Sequence, residues 1–351
     1  MQEERLKILE MLQEGKISAE EAADLLRKLP ERGRREKGQQ YAGQDSQHTS
    51  GGGLFGWIRD HIGGGPRISL DLQSSPVGQG IAALRLSGKN DAVNIEGYRG
   101  DCIKIHCSYI AKSEDPQIRL HEENGVYELH YYDNALKALK ITCRVPMVMI
   151  NEIRAHSING RVKIENVEAD IIEAETGNAA VSIEDVKCNK LYSRTYNASV
   201  SVEDTNFKDA DLETTNGKVS LEDVQGVSAR LQTTNAKISV EDADIAEINA
   251  STSNGSVTFE GLATGGNGKE ERSIKASSSN GSITVYIPMD TGLKIEATTT
   301  NANVTCETAK PLFGEVSRQH IDAKNQAYDS GDRRISLKLS TSNAGIKVKE
   351  V

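Results

Sequence analysis

Paired carboxylates recur along the middle of the sequence, and carboxylate oxygens are the ligands that calcium prefers in proteins. A Glu-Asp pair ends the same short motif four times, and its members are Glu184, Asp185, Glu203, Asp204, Glu222, Asp223, Glu241 and Asp242. A single carboxylate row offers few ligands per ion, and the Gly- and Asp-rich repeat of calcium-binding β-rolls is missing. We therefore interpret the row as a solvated acidic face and keep calcium binding as its alternative.

Patterns typical of catalysis or cofactor binding are missing from the rest of the sequence. The seven histidines are scattered, without a His-x-x-x-His or Gly-x-Ser-x-Gly context. The five cysteines are an odd number without a Cys-x-x-Cys pair, which favours reduced structural thiols over a disulfide framework or a zinc site. The sequence accordingly predicts that the protein is not an enzyme and has no catalytic residue, cofactor or metal centre.

The composition narrows the remaining classes of fold and function. The 351 residues carry a formal charge of −9 and include only 1 Trp, 4 Phe and 10 Tyr. The acidic balance argues against nucleic acid as a partner, because affinity for nucleic acid comes mainly from Lys and Arg. Aromatic side chains supply much of the buried area of a large globular core. Their scarcity disfavours a large α/β enzyme fold and favours aliphatic packing with regular backbone pairing.

An asparagine recurs every 19 residues and marks a repeat that dominates the chain. Five steps of 19 lead from Asn159 to Asn254, and steps of 26, 21 and 42 follow, the last equal to two steps of 21. A hydroxyl residue stands two positions before each asparagine, Gly or Ala follows it, and Val or Ile comes three positions after it. Asn suits tight corners, and at stacked corners its amide can bond to the copies above and below. We expect one structural ladder of Asn159, Asn178, Asn197, Asn216, Asn235, Asn254, Asn280, Asn301 and Asn343.

Two further columns predict a narrow interior of fixed volume. Six and four residues before each asparagine, a large apolar side chain accompanies a small one, as in Ile172 with Ala174, and only Leu337 with Leu339 breaks this rule. Residues 67–351 are therefore predicted to form a mainly β fold, a β-solenoid of stacked 19 to 21 residue repeats. An antiparallel sandwich is the alternative. About 14 turns spaced about 4.8 Å apart would make a rod on the order of 65 Å long. Residues 262–273 and 306–334 interrupt the period and are where a ligand site would be sought.

The first 30 residues are predicted to form a small helical hairpin. Leucines recur at helical spacing, Ser18 and Glu21 form a capping box, and Pro30 ends the unit. A unit this short buries too little surface to be stable alone. We expect self-association or a protein partner, with an envelope or membrane protein as one candidate, through Leu9, Leu12, Leu25, Leu26 and Leu29.

Residues 31–66 are a flexible linker by composition. They contain a short apolar segment, LFGWIRDHI at 54–62, which we expect to cap the following domain, with contact to a membrane surface as the alternative. No stretch reaches the roughly 18 to 20 apolar residues needed to span a bilayer, and residues 1–10 carry charges where a secretory signal would be apolar. These features predict a cytoplasmic protein with a possible membrane- or surface-associated pool.

Two motifs resemble one known bacterial group. The run GKISAEEAADLLRKL is similar to the short helical, SHOCT-like N-terminal domain of YvlB/LiaX-like proteins. The ladder T-x-N-[GA]-x-V-x-[IVL]-E-[DG] resembles the β-strand-repeat domain of unknown function that is labelled "putative adhesin". The resemblance covers residues 2–29 and about 67–351. It implies a link to the cell-envelope stress response and supplies no catalytic residues.

The leading hypothesis is a non-enzymatic interaction scaffold in an envelope-stress or adhesion-like role. The runner-up is a module whose acidic face binds cationic peptides or a divalent metal. A carbohydrate-binding or carbohydrate-active β-helix is the third alternative.

Overall fold

Short β-branched runs alternate with tight corners along the chain, and in the computed structural model they stack as coils. The structure describes residues 66–78, 80–113, 115–263, 271–330 and 333–351. The predicted hairpin at 1–30 with its five leucines, the linker up to residue 65 and the segment 54–62 lie outside these residues. Residues from Ile68 to Val351 form one compact unit.

Strands make up most of that unit, together with a short helix, α1, and one turn of 3-10 helix at Asp133–Ala135. No helix in the described ranges is both long enough and apolar enough for a membrane crossing. The elements are β1 Ile68–Pro76, β2 Gly80–Gly88, β3 Val93–Tyr98, β4 Cys102–Ala111, β5 Arg119–Glu123, β6 Val126–His130, β7 Leu136–Pro146, β8 Met149–Ser157, β9 Val162–Glu165, β10 Glu168–Thr176, β11 Val181–Glu184, β12 Lys187–Arg194, β13 Val200–Glu203, β14 Asp209–Glu213, β15 Val219–Gln232, β16 Ile238–Thr252, β17 Val257–Glu260, β18 Glu271–Ser278, β19 Ile283–Ile287, β20 Gly292–Thr299, β21 Val304–Glu307, β22 Leu312–Val316, β23 His320–Asn325, α1 Gln326–Ser330, β24 Arg334–Thr341 and β25 Ile346–Glu350.

The coils build two parallel faces of one continuous sheet; most coils contribute one strand to each face, whereas β15 and β16 each run through both. Face A contains the strands that precede each ladder asparagine, and β8, β10, β12 and β14 are consecutive members. Face B contains the strands that follow it, and β9, β11 and β13 are consecutive members. The pairing is in register, so Val181 of β11 lies between Val162 and Val200. The mainly β, solenoid-like architecture predicted from the period is therefore present.

The asparagines form a continuous ladder along one edge of the stack. Each of the nine predicted members donates its side-chain Nδ2–H to the Oδ1 atom of a neighbouring coil's asparagine, with N···O distances of 2.5–2.8 Å. Asn90 belongs to an earlier coil and extends the ladder beyond Asn159. The ladder therefore joins ten coils, and its members in spatial order are Asn90, Asn159, Asn178, Asn197, Asn216, Asn235, Asn254, Asn280, Asn343 and Asn301.

A second ladder explains the hydroxyl residue two positions before each asparagine. These side chains are buried and donate O–H to a backbone carbonyl at the neighbouring coil's corner, as Thr214 does to Ala198 at 2.9 Å. The O···O distances in the series are 2.9–3.3 Å. Each hydroxyl thus satisfies a corner carbonyl within the buried edge, where an unpaired polar group would be costly. The donors are Ser157, Thr176, Thr195, Thr214, Thr233, Thr252, Ser278, Thr299 and Thr341.

The order of the coils differs from the order of the sequence at one end of the stack. The coil of Asn343 lies between the coils of Asn280 and Asn301, because β24 pairs with both β18 and β20. The 42 residues between Asn301 and Asn343 therefore do not form two successive turns of the stack, although 42 equals two steps of 21. The estimate of about 14 turns is also too high, since ten coils at about 4.8 Å span on the order of 45 Å.

Antiparallel strands cover both ends of the stack and account for the missing turns. At the first end, β7, β4 and β1 extend face B, and β6 and β5 extend face A. At the other end, β23 and β22 extend face A beyond β20. The turn between β22 and β23 contacts the corner of the Asn301 coil. There the backbone N–H groups of Thr299 and Val304 donate to the carbonyl oxygens of Gln319 and Arg318, each at an N···O distance of 2.9 Å. The interruption at 306–334 is thus mainly an end cap.

The hydroxyl ladder can be tested with an isosteric substitution. Thr214→Val leaves the buried carbonyl of Ala198 without its side-chain donor, and we expect the free energy of unfolding to fall by about 1–3 kcal/mol. Urea denaturation followed by circular dichroism measures this change. The matched control is Thr234→Val at an exposed position of a neighbouring coil, for which we expect almost no change. Equal losses in the two variants would contradict a specific role for the buried hydroxyl.

Candidate functional site

The glutamates of the acidic row stand in register on the outer side of face B. Four of them end their strands, whereas Glu222 and Glu241 lie within the longer strands β15 and β16. Glu203 lies between Glu184 and Glu222 in the parallel ladder. A column of hydroxyl residues lies two positions before them on the same face, as Ser201 does relative to Glu203. The glutamates in this register are Glu165, Glu184, Glu203, Glu222, Glu241 and Glu260.

The aspartates next to them have a conformational role that the sequence analysis missed. Asp185, Asp204, Asp223 and Asp242 adopt left-handed backbone conformations, with φ between 47° and 52°. Asn and Asp tolerate this region better than other residues with a Cβ. The same column begins with Asn166 and ends with Gly261, which are also left-handed. Asn, Asp and Gly share little except tolerance of a left-handed backbone. Their alternation in one column of the sequence could therefore have indicated that this corner requires a left-handed residue, whatever its charge.

Among the described residues, ion pairs neutralise one end of the glutamate row. Lys163 pairs with Glu165 and with Glu184, and the Nζ to Oε2 distance of the second pair is 3.3 Å. Within the described residues, the other four glutamates of the row have no cation within ion-pair distance: Glu203, Glu222, Glu241 and Glu260. Desolvation, Glu222 and Glu184 raise the pKa of Glu203. The middle of the row is therefore electrostatically unfavourable when every carboxylate is charged.

The structure does not assemble these carboxylates into a metal centre in the part of the chain that it describes. No group of three or more His, Cys, Asp or Glu side chains there could hold a metal ion. The register instead spreads the carboxylates along two columns, one residue per coil in each. Calcium binding therefore has no formed site to support it.

The residues with nucleophilic or acid–base chemistry are dispersed. The five cysteines are free thiols, four of them buried, and burial raises the pKa of Cys107 and Cys188 to about 12. The rings of His121 and His130 stack in the hairpin of β5 and β6, with 5.1 Å between their centroids. His320 begins β23, which covers the opposite end of the stack. Within the part of the chain that the structure describes, no cysteine lies within hydrogen-bond distance of a histidine base, the arrangement that covalent catalysis by a thiol requires.

Two depressions on the described surface are open grooves rather than enclosed pockets. One groove of about 540 Å³ lies beside the left-handed column, where exposed Met147 and Met149 meet Asp185 and Asp204. Another, also about 540 Å³, lies on the end strands and is lined by Lys104, His106 and Arg144 among others. Most of the predicted insertion at 262–273 lies outside the described residues.

The family assignment agrees with this geometry. Residues 111–349 match the family model described as Toastrack DUF4097. The chain belongs to this family. Residues 3–33 match a SHOCT-like domain, so the predicted combination of a SHOCT-like segment with a β-strand-repeat domain is confirmed. No curated protein matches this Toastrack sequence.

Several solved structures are similar to this Toastrack protein. A "putative adhesin" from Parabacteroides merdae is 12% identical, with 81% of this chain and 97% of that chain covered and a TM-score of 0.46. A "putative lipid binding protein" from Parabacteroides distasonis is 13% identical, with 80% and 97% covered and a TM-score of 0.43. A "putative adhesin" from Bacteroides fragilis is 14% identical, with 82% and 97% covered and a TM-score of 0.38.

Stability as a function of pH can test the electrostatics of the row. Because the pKa of Glu203 is raised in the folded protein, its charge destabilises the fold at neutral pH, and this penalty is lost as the pH falls through the folded pKa. We expect Glu203→Gln to stabilise the protein near pH 7, with a smaller gain near pH 4, where unperturbed glutamates titrate. Urea midpoints at the two pH values measure both effects.

Glu247 on face A provides a control of opposite sign. A hydrogen bond from Lys275 lowers the pKa of Glu247, so its charge stabilises the fold above the unfolded pKa and this contribution is lost as the pH falls. Glu247→Gln should therefore destabilise the protein near neutral pH. If the two glutamine variants shift the urea midpoint in the same direction, the assignment of an unfavourable charge to Glu203 is wrong.

Proposed function

We propose that this Toastrack protein is a non-enzymatic interaction scaffold with an adhesion-like role in the bacterial cell envelope or its stress response. The observation that carries this proposal is the regular outer side of face B, where a hydroxyl column runs beside a carboxylate column. The hydroxyl column comprises Ser182, Ser201, Ser220, Ser239, Thr258 and Thr284, of which Ser239 is buried and the other five are half-buried. Family membership and the names of the similar structures are compatible with a binding role.

The geometry of face B favours an extended partner over a small substrate. In-register stacking repeats the same polar groups about every 4.8 Å along the stack. Small-molecule sites are usually concave and bury most of their ligand. A repetitive surface instead makes many weak contacts with a long partner, and the two hydrogen-bond ladders hold those contacts at fixed spacing. The predicted cytoplasmic location with a membrane- or surface-associated pool belongs to this proposal.

Cationic peptides are the second candidate ligand, and the unpaired glutamates favour them. Glu203, Glu222, Glu241 and Glu260 have no cation within ion-pair distance among the described residues. The segment 159–262 contains 9 Lys and Arg against 19 Asp and Glu, so the charge of −9 is concentrated in the regular coils. A cationic peptide would relieve repulsion within the row, and salt would weaken its binding. The described residues give no comparable support to a carbohydrate-active site.

Charge reversal on face B tests the acidic surface. We expect the double variant Glu203→Lys and Glu222→Lys to lose most of the affinity for a fluorescent decalysine peptide, measured by fluorescence anisotropy at low and high salt. The matched control is Asp211→Lys with Glu213→Lys on face A, which changes the net charge equally. Equal losses in both variants would indicate binding to net charge alone, and an unchanged affinity in the face B variant would reject the site.

Self-association through residues 1–30 remains part of the proposal. Its support is the pattern of leucines in a segment that matches the SHOCT-like domain. We expect deletion of residues 1–29 to convert an oligomer to a monomer in light scattering without loss of the β-sheet circular dichroism signal.

A point-variant pair separates this effect from simple truncation. Leu25→Asp with Leu26→Asp should reproduce the loss of mass, whereas Gln2→Asp with Gln13→Asp adds the same charge at polar positions and should not. An unchanged particle mass in the leucine variant would mean that these side chains do not mediate self-association.

A further inference from the structure

The last strand pair in the sequence fills a slot between two coils that precede it. On face A, β24 makes parallel registers with β18 on one side and β20 on the other, each over eight residue pairs. On face B, β25 pairs with β19 over five residues and with β21 over four. The slot walls lie within residues 271–307, whereas the strands of the inserted coil lie within 334–350. The walls and their occupant are therefore separate segments of the chain.

Both hydrogen-bond ladders pass through the inserted coil. Asn343 donates to Asn280 and accepts from Asn301, with N···O distances of 2.7 Å in both cases. Thr341 donates to the carbonyl of Gly281 at 3.0 Å, and Thr299 donates to the carbonyl of Ala344 at 2.9 Å. An empty slot would interrupt each ladder at this point.

The slot also matches the inserted side chains in volume. Leu339 lies between Ala276 and Ala297 in the face A registers, and all three side chains are buried. The two alanines make room for a leucine, which explains why Leu337 and Leu339 break the large-and-small rule. A coil that fits the slot therefore needs a leucine at the position of Leu339 as well as an asparagine at its corner.

Only the connecting segment assigns the inserted coil to its own slot. That segment runs through β22, β23 and α1. It contacts both walls, since β23 pairs with β20 and Tyr328 of α1 donates O–H to Glu271 of β18 at 2.7 Å. The strand registers of β24 and β25 themselves are made with β18, β19, β20 and β21 alone. A second copy of the chain offers an identical coil with the same registers, ladder residues and leucine. Exchange of an identical element between protomers is a low-cost route to association, because it reuses the contacts of the monomer.

We propose that this slot is a site of coil exchange, in which β24 and β25 of one copy insert between β18–β19 and β20–β21 of another. The partner is a second copy of this chain, and the result is self-association through a solenoid end. This site is distinct from the predicted N-terminal hairpin and from the acidic surface of face B.

Single cysteines in two different copies can report the exchange. Thr284 and Lys347 are register partners on the outer side of face B, so cysteines at these positions lie within disulfide range. Full-length chains carrying Thr284→Cys alone are mixed with full-length chains carrying Lys347→Cys alone, at high concentration under mild oxidation. Both chains also carry Cys306→Ser, because Cys306 is half-buried whereas the other four native thiols are buried. We expect a covalent heterodimer on non-reducing gels, which forms only when one copy's coil sits in the other's slot.

Two comparisons make the result decisive. Thr258 lies one coil beyond Thr284 on face B, so a mixture of Thr258→Cys and Lys347→Cys chains controls for random surface disulfides. The doubly substituted chain, Thr284→Cys with Lys347→Cys, should form the bond within one molecule and prove that the pair is competent. If that internal bond forms but the Thr284 and Lys347 mixture gives no more heterodimer than the Thr258 control, the coil stays in its own slot and the proposal is overturned.

Discussion

The structure depends on one constraint: in a parallel, in-register stack, every side chain faces copies of its own column. A column is stable only when its residues are compatible with themselves. Asparagine meets this condition because its amide has both a donor and an acceptor, so one Asn can bond to the next without limit. A charged carboxylate has only acceptors and repels its neighbours. The exposed corner with Asn and the buried corner with Thr or Ser are both solutions to this condition.

The other columns follow from the same constraint. Aliphatic side chains stack on one another in the interior, and the exchange between large and small members keeps the volume of each coil constant. The scarcity of aromatic residues follows, since a ring repeated in every coil would overfill this space. On the outside, the glutamate row is a column that is not compatible with itself, and the raised pKa of Glu203 is the consequence. That unfavourable surface is the reason for proposing cationic peptides as candidate ligands of face B.

Much of the fold and less of the candidate site were predictable from the sequence. The Asn column, the β-branched column and the mainly β stack follow from spacing alone, because the period places equivalent residues at equivalent corners. The conformational role of the Asp residues was not recognised, because a column of aspartates suggests an acidic surface before it suggests a backbone conformation. Only the backbone shows that Asp185, Asp204 and their equivalents occupy left-handed corners, for which Asn166 and Gly261 are alternatives. The hydroxyl column was visible in the sequence, but its acceptors were not, because the carbonyls belong to the neighbouring coil.

The sequence by itself determined the register of every coil, and the tertiary structure decided which coils are neighbours. Register follows from a pattern that each coil carries in full, so one coil is enough to specify it. Neighbour choice does not follow from that pattern, because similar coils present nearly the same columns to any partner. The insertion of the Asn343 coil between those of Asn280 and Asn301 is instead fixed by the fit of Leu339 between two alanines and by the path of the end hairpin. Both are contacts between segments distant in sequence, and a one-dimensional period contains no information about them.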